Sequence, residues 1–366
     1  MKVCHFTSAH NSTDNRILEK ECKSLAKNGY DVYLVAAGAS REEDGVKIVG
    51  MKGKPESRVK RLLSFSREVY KTAAGLDCDL YHFHDPELLP YGLKLSRKGK
   101  KVIFDSHEKY SDQIAVKSYL HGLAPVIAKA YLLYENYVLK RIDGVIFPCT
   151  INGVNPFEGK CRNVEIISNV PRLDELYDKF DPAVKKTAKS ICYLGSLSKN
   201  RGLTLLKNAA EKAGARLILG GFFSPEEYKE EILASENVEY LGVLDRAGIL
   251  DTIQRCQIGM SLLRNVGQYY KIDTLSTKIY EYMSLGVPVI MQDSPYSIEV
   301  NKEHDFGVCV DPENEEEVSR AIKKLIDDPE ECKRLGENGR KAVKQFFNWS
   351  MEEKKLLELY SRILNG

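Results

Sequence analysis

Short apolar runs alternate with amphipathic stretches along nearly the whole chain, and that alternation leaves few folds open. A buried parallel strand needs a crossover to bring the chain back to the same end of the sheet, and a helix is the usual crossover. Near the start, Lys2–Thr7 predicts a strand, Asn15–Asn28 a helix with Ile17, Leu18, Leu25 and Ala26 on its apolar face, and Asp31–Ala36 the next strand. Gly29 ends the helix. Further strands are predicted at Leu80–Phe83, Lys101–Asp105 and Gly144–Pro148, with helices around Val59–Ala74, Pro86–Leu95 and Ala124–Leu139.

A second series follows the stretch Asn169–Lys189, whose Pro171, Pro182 and mixed charges suit a linker or surface connection. Its strands are predicted at Ser190–Leu194, Arg216–Gly220, Val238–Leu241, Ile258–Leu263, Val287–Met291 and Gly307–Val310. The fold class is therefore α/β, with two doubly wound parallel-sheet domains spanning 1–168 and 169–348. A final amphipathic helix, 349–366, is expected to pack back across either domain. The cleft between two such domains is the default place for a ligand.

Length agrees, since 366 residues fit two domains of about 150 each. The 54 basic and 52 acidic side chains nearly cancel, so no global field points to nucleic acid. Nine cysteines stand singly with no CxxC pair, which favours free thiols in a reducing compartment. The opening MKVCHFTSAH has no apolar run of signal length, and no run of about 18 apolar residues follows, so a cytoplasmic protein is expected.

The most informative stretch is Leu275–Met291, LSTKIYEYMSLGVPVIM. Ser276 or Thr277 can cap a helix ending near Gly286 and Pro288, and a helix amino terminus offers unpaired N–H groups to a diphosphate. Lys278 adds a cation there, and Glu281 can accept from two ribose hydroxyls. A helical glutamate on a solvated face is the plainer reading of Glu281.

The string KIYEYMSLGVPVI resembles the donor-binding signature of family-4 retaining glycosyltransferases of the GT-B fold, such as those of capsule, O-antigen and exopolysaccharide biosynthesis. ICYLGSLSKNRGL resembles the first strand and glycine loop of the family's donor domain, and LILGGF its next strand with paired glycines. ENVEYLGVLDRAGILDTIQRCQIGMSLL resembles the segment around the base, and DDPEECKRLGENGRKAVKQFFNWSMEE the family's tail. The resemblance implies donor contacts from Gly195, Ser196, Arg201, Gly220, Gly221, Ser276, Thr277, Lys278 and Glu281. Three positions depart from the pattern: Asp273 stands where the family commonly has the first of two glutamates, and Ser196 where it usually has arginine. Arg201 stands where lysine is usual.

In the first domain, YHFHDPELLP and FDSHEKY each follow a predicted strand, at the sheet edge where ligands bind. The resemblance places His107 near the sugar's anomeric centre with Asp273, and His84, Asp85 and Glu87 toward the acceptor. Asp85 followed by Pro86 also reads as a helix cap and its first residue. In the loop TSAHNSTDNRI, His10, Asp14 and Arg16 are candidates for acceptor hydroxyls or phosphate, although Asp14 can equally cap the helix.

A metallohydrolase is the rival for His82, His84, Asp85, His107 and Glu108, but no third or fourth ligand sits at a diagnostic spacing. Asp77-Cys78-Asp79 precedes a strand and reads as its polar entrance. No catalytic metal and no cofactor are expected, the nucleotide-sugar being a substrate. Between Met51 and Gly75, Lys52, Lys54, Arg58, Lys60, Arg61, Arg67 and Lys71 outnumber Glu56 and Glu68, and Lys94, Arg97, Lys98, Lys100 and Lys101 lie close together. Beside apolar Ala124–Leu139 these bases suit either a solvated face or peripheral contact with an anionic inner membrane leaflet.

The expectation is a retaining transferase moving a sugar from a UDP- or GDP-linked donor to a saccharide or lipid-linked acceptor. A sugar-nucleotide epimerase of the same fold and a non-catalytic nucleotide-sugar binding protein are the alternatives.

Overall fold

The computed structural model describes every residue except 54–56, 58–59, 116–121 and 265–269, and the side chain of residue 63. Lys54, Glu56, Arg58 and Val59 of the sequence reading lie outside the described residues. The chain divides into two compact units, Met1–Asn169 together with Ser350–Gly366, and Val170–Trp349.

The sheet of the first unit has, among the described residues, eight strands: β1 (Lys2–Asn11), β2 (Asp31–Ala37), β3 (Arg41–Glu43), β4 (Val46–Met51), β5 (Leu80–Phe83), β6 (Lys101–Asp105), β7 (Gly144–Phe147) and β8 (Asn163–Ile166). Their order is β3-β4-β2-β1-β5-β6-β7-β8, parallel except for the β3–β4 pair. The order reverses at β1, which lies between β2 and β5, so the loops after β1 and β5 diverge at that point. The inner strands are almost wholly buried, which is why they read as unbroken apolar runs. Strands β3, β4 and β8 escaped the sequence reading because their residues are half-exposed and mixed in polarity.

The first crossover also differs from expectation. Asn15–Cys22 is π-helical, and only Lys23–Lys27 continues as an α-helix. Wider turns bring residues five apart into register, and Arg16 Nε stands 3.1 Å from Glu21 Oε1. Asp14 caps the segment by accepting from the backbone N–H groups of Arg16 and Ile17 at 2.9 and 3.0 Å. The closing helix Trp349–Asn365 lies against the first sheet, where a Cβ on Gly144 would come within 2.7 Å of Ile363 Cδ1.

The sheet of the second unit has, among the described residues, six parallel strands: β9 (Ser190–Leu194), β10 (Arg216–Gly220), β11 (Val238–Tyr240), β12 (Ile258–Ser261), β13 (Val289–Gln292) and β14 (Gly307–Val310). They run β11-β10-β9-β12-β13-β14, a Rossmann order that reverses between β9 and β12. Strand β13 begins later than expected, after Pro288, which has no N–H to give to a ladder. The stretch 169–189 is less superficial than its composition suggested. Leu176 is buried, and Arg340 stacks on the rings of Tyr177 and Phe180 at 3.9 and 4.1 Å, drawing them onto the core.

Candidate functional site

In the second unit, nine residues singled out from sequence converge. Gly195, Ser196, Arg201, Gly220, Gly221, Ser276, Thr277, Lys278 and Glu281 line one cavity of about 410 Å³, closed further by Phe222, Val243, Leu244 and Ile249. It opens at the carboxyl ends of β9 and β10, beside the reversal of strand order, where an open α/β sheet diverges to admit a ligand. Its glycines are required by geometry. Gly221 has φ of +135°, and a Cβ there would lie 1.8 Å from the Gly195 carbonyl oxygen. Only bare backbone lets the two turns pack side by side.

The helix Thr277–Ser284 points its amino terminus at this cavity. Gly259 lets it lie flush on β12, since a Cβ there would meet the buried Tyr282 ring at 2.4 Å. Ser276 occupies the cap position, but its side chain makes no capping hydrogen bond and pairs instead with Ser261 Oγ at 3.1 Å. The expected side-chain cap is therefore replaced, and the Ser276 hydroxyl does not cover the first-turn N–H groups.

Lys278 Nζ sits 3.6 Å above the Tyr193 ring. Burial, and then the like charge of Arg201, push its pKa down to about 7, against the opposing pull of Glu281. Glu281 is held by Arg246, whose two Nη atoms reach Glu281 Oε1 at 2.6 Å and Glu175 Oε1 at 2.8 Å. Arg246 and Glu175 were not singled out from sequence. Arg246 opens a helix capped by Asp245, a placement that marks it as locally exposed and says nothing of a partner 35 residues away. Asp273 is not among the residues lining the cavity, although it stands three positions before Ser276.

In the first unit the predicted residues gather where β1, β5 and β6 end. Asp85 is buried and makes no side-chain cap to its own helix; its Oδ2 accepts from Thr7 Oγ1 at 2.8 Å and from the N–H groups of Ser8 and Ala9 at 2.6 and 3.1 Å. It thus holds the loop after β1 in place. Glu87 is tied to Arg61 at 2.8 Å and to Ser8 Oγ at 3.1 Å.

His10 pairs with Asp14 at 2.9 Å and lies against His107, ring centroids 4.8 Å apart. Burial alone would lower the His10 pKa, but the Asp14 hydrogen bond and the charges of Asp85 and Asp105 hold it above its ordinary value. His107, 18% exposed, and buried His84 both approach Asp105 Oδ2 at 3.3 Å. Burial would raise the Asp105 pKa, yet Arg16 and the adjacent histidines hold it well below the usual carboxylate range.

Arg16 differs most from its sequence reading. Its guanidinium is buried, paired with both Asp105 oxygens at 2.9 and 3.1 Å and donating to the Ile167 carbonyl at 3.0 Å. It serves as the counter-charge of Asp105 rather than as a cation offered to an acceptor. The reason is the π-helical turn, which directs this side chain inward, and a run of polar residues in sequence does not reveal that turn.

Two family profiles match the chain: residues 15–151 match "Glycosyltransferase Family 4" and residues 174–342 "Glycosyl transferases group 1". An uncharacterized glycosyltransferase of Methanocaldococcus jannaschii is 23% identical over 292 residues, 74% of this chain and 71% of that protein. Among solved structures, sucrose-phosphate synthase from Thermosynechococcus elongatus aligns with a TM-score of 0.75 at 18% identity, covering 100% of both chains. The Anabaena protein HepE, in complex with UDP and glucose, aligns with a TM-score of 0.72 at 14% identity, over 99% of this chain and 100% of that one.

Proposed function

Since the chain belongs to the glycosyltransferases and has the GT-B fold, we propose that it moves a sugar, with retention of anomeric configuration, from a UDP- or GDP-linked donor to an acceptor hydroxyl. The observation that carries this reading is the cavity at the carboxyl edge of the second sheet, where glycine turns, a helix amino terminus, two cations and a carboxylate meet. Each answers a part of the donor. Gly195 and Gly221 admit the diphosphate close to backbone, while Arg201, Lys278 and the first-turn N–H groups face its charge. Glu281, steadied by Arg246, accepts from the ribose hydroxyls.

Charge on the diphosphate grows as the glycosidic bond breaks, so these donors act most strongly in the transition state. In this scheme the departing phosphate takes the proton of the incoming hydroxyl on the same face. The two cations supply the charge stabilisation, so the step requires no catalytic metal. His107 and Asp273 are assigned to the sugar, and His10, Asp14, Asp85 and Glu87 to the acceptor side. Asp85 and Asp14 do so while shaping the loop between them. His84 is fully buried, with its nitrogens turned to Asp105 and His5, and so does not face an acceptor as expected.

The acceptor we infer is a lipid-linked oligosaccharide of surface-polysaccharide assembly, met at the inner membrane face. No described helix is long and apolar enough to cross a membrane. The helix Ala124–Leu139 nevertheless exposes Val126, Ile127, Leu133 and Tyr137, with Val126 66% and Leu133 64% accessible. Arg97 beside it donates to Tyr137 Oη at 3.2 Å, which brings a basic loop to that face. An apolar face rimmed by bases suits an anionic leaflet.

The test is incubation with a panel of sugar nucleotides, with and without lipid-linked acceptors, following diphosphate release and product sugar. Acceptor-dependent release with an α-linked product from an α-linked donor supports the proposal. An altered free sugar nucleotide without acceptor would instead establish an epimerase, and tight binding without turnover a binding protein.

A further inference from the structure

Behind His84 the first unit buries ionisable groups that the transfer scheme does not use. His5 on β1, His82 on β5, His84 just after it, and Glu21 in the π-helical segment are fully buried, and one ligand-type atom from each lies within 4.8 Å of the others. Parallel pairing explains the juxtaposition, since His5 is in register with His82, and His84 follows two residues later on the same face. Tyr360, from the closing helix, lies on the same cluster.

The proton positions follow from one end of this network. His84 Nδ1 lies 3.3 Å from the Asp105 carboxylate and 3.4 Å from His107 Nε2; with the carboxylate as its acceptor it carries the proton and leaves Nε2 as a lone pair. The 3.0 Å contact between His84 Nε2 and His5 Nδ1 makes His5 the donor. His5 Nε2 then accepts from Tyr360 Oη at 3.0 Å, and the Tyr360 oxygen accepts from His82 Nδ1 at 2.8 Å. Every proton is directed toward Asp105. Among the described residues the chain therefore ends at His82 Nε2, a buried lone pair with no donor, and neither buried Glu21 carboxylate oxygen has a hydrogen-bond partner. Arg16 Nε approaches Glu21 Oε1 to 3.1 Å, but it is already committed to Asp105.

Buried acceptors without donors are costly, and lone pairs that converge in a dry core call for positive charge. We propose that His5, Glu21, His82 and His84 bind a divalent transition-metal ion, preferentially zinc, as a structural centre of the first unit. The donor separations suit it. His5 Nδ1, His84 Nε2 and Glu21 Oε2 form a triangle of sides 3.0, 3.8 and 3.9 Å, with a point about 2.1 Å from all three corners, the length of Zn–N and Zn–O bonds. His82 Nε2 supplies the fourth donor.

The ligand nitrogens are also already oriented from behind. His84 is held through its outer nitrogen by Asp105, and His5 and His82 through theirs by Tyr360, the arrangement that fixes ring and tautomer at metal sites. On binding, the proton between His5 and His84 moves to His5 Nε2, which then donates to the Tyr360 oxygen. Tyr360 keeps its own proton, and any proton on Glu21 leaves to solvent. Three imidazoles with one carboxylate select zinc over the oxygen-seeking magnesium or calcium.

The experiment uses the full-length, untagged chain, dialysed into metal-free buffer and assayed by mass spectrometry of the elements. About one zinc per chain is expected. Refolding from denaturant with chelator into Co²⁺ should give the visible absorption of tetrahedral cobalt, and Glu21→Gln and His82→Gln should each lower metal content about tenfold. If those core variants do not fold, the parent's zinc stoichiometry and cobalt spectrum still decide. Metal below about a tenth of an equivalent, both as purified and after refolding with zinc, overturns the proposal and leaves Glu21 as a protonated core acid. Folded variants that keep their metal overturn it too. So does loss of metal in His107→Ala, which would place the ion on His84, Asp105 and His107 instead.

Discussion

Lys278 shows how one side chain couples the proposed donor site to pH. With its pKa near 7 against about 10.4 in an unfolded chain, the folded protein binds fewer protons than the unfolded one between those values. The cost of burying this charge is therefore present below pH 7 and fades as pH rises toward 10. A bound diphosphate favours the charged form, so nucleoside-diphosphate affinity should fall with rising pH above 7, by up to about tenfold per unit. Calorimetric titration from pH 7 to 9 measures this, and Lys278→Met should flatten the profile. Glu281→Ala and Arg201→Ala should each weaken binding by about 1.5–3 kcal/mol, the worth of a charge-assisted hydrogen bond. Parent-like affinity in both would remove the diphosphate from this cavity. His107→Ala should leave that affinity unchanged, because every nucleotide contact proposed here belongs to the second unit, yet slow single-turnover transfer. Transfer at the parent rate would strike His107 from the catalytic residues. At this scale, the sequence named nine of the residues that line the cavity, through motifs that resemble those of a known family. It missed Arg246 and Glu175, whose meeting with Glu281 depends on how separate elements pack.

Among the elements, the paired turns after β9 and β10 and the closing helix carry the clearest consequences. Gly221→Ala would force Cβ against the Gly195 carbonyl and a side chain into a left-handed backbone, a strain of at least about 1–3 kcal/mol. Thermal unfolding should show the loss, with nucleotide binding abolished; a variant as stable and as tight as the parent would contradict the geometry. Tyr360→Phe removes the hydroxyl shared by His5 and His82 and strands two buried nitrogens, which should cost about 1–3 kcal/mol in urea denaturation. An unchanged midpoint would mean the hydroxyl is not needed there. The inner strands of both units were legible because burial on two faces writes them as apolar runs. The half-exposed strands β3, β4 and β8 lacked that signature, and the π-helical turn at Asn15–Cys22 has the same residue periodicity, over so short a span, as the start of an α-helix.

For the whole molecule, the transfer scheme assigns charge stabilisation to side chains and a helix terminus, so adding chelator to the assay should leave turnover intact. The ion inferred in the first unit has fully buried ligands and should stay in place during such treatment. Loss of activity that manganese or magnesium restores on mixing would show a catalytic metal instead. Liposome flotation tests the apolar face of Ala124–Leu139: binding to anionic vesicles should fall in the double variant Val126→Asp, Leu133→Asp, and equal flotation would discard that face. The sequence by itself determined two doubly wound α/β units and named the glycine, cation and carboxylate set that lines the cavity of the second unit. Each of these is written locally, in runs of apolar residues and in short motifs at strand ends. Only the tertiary structure decided that Arg16 turns inward to Asp105, that Asp85 braces the loop after β1, and that His5, Glu21, His82, His84 and Tyr360 meet in one dry cluster. Those partners are brought together by strand register and helix packing, and burial decides which charges must be matched inside the fold rather than by water.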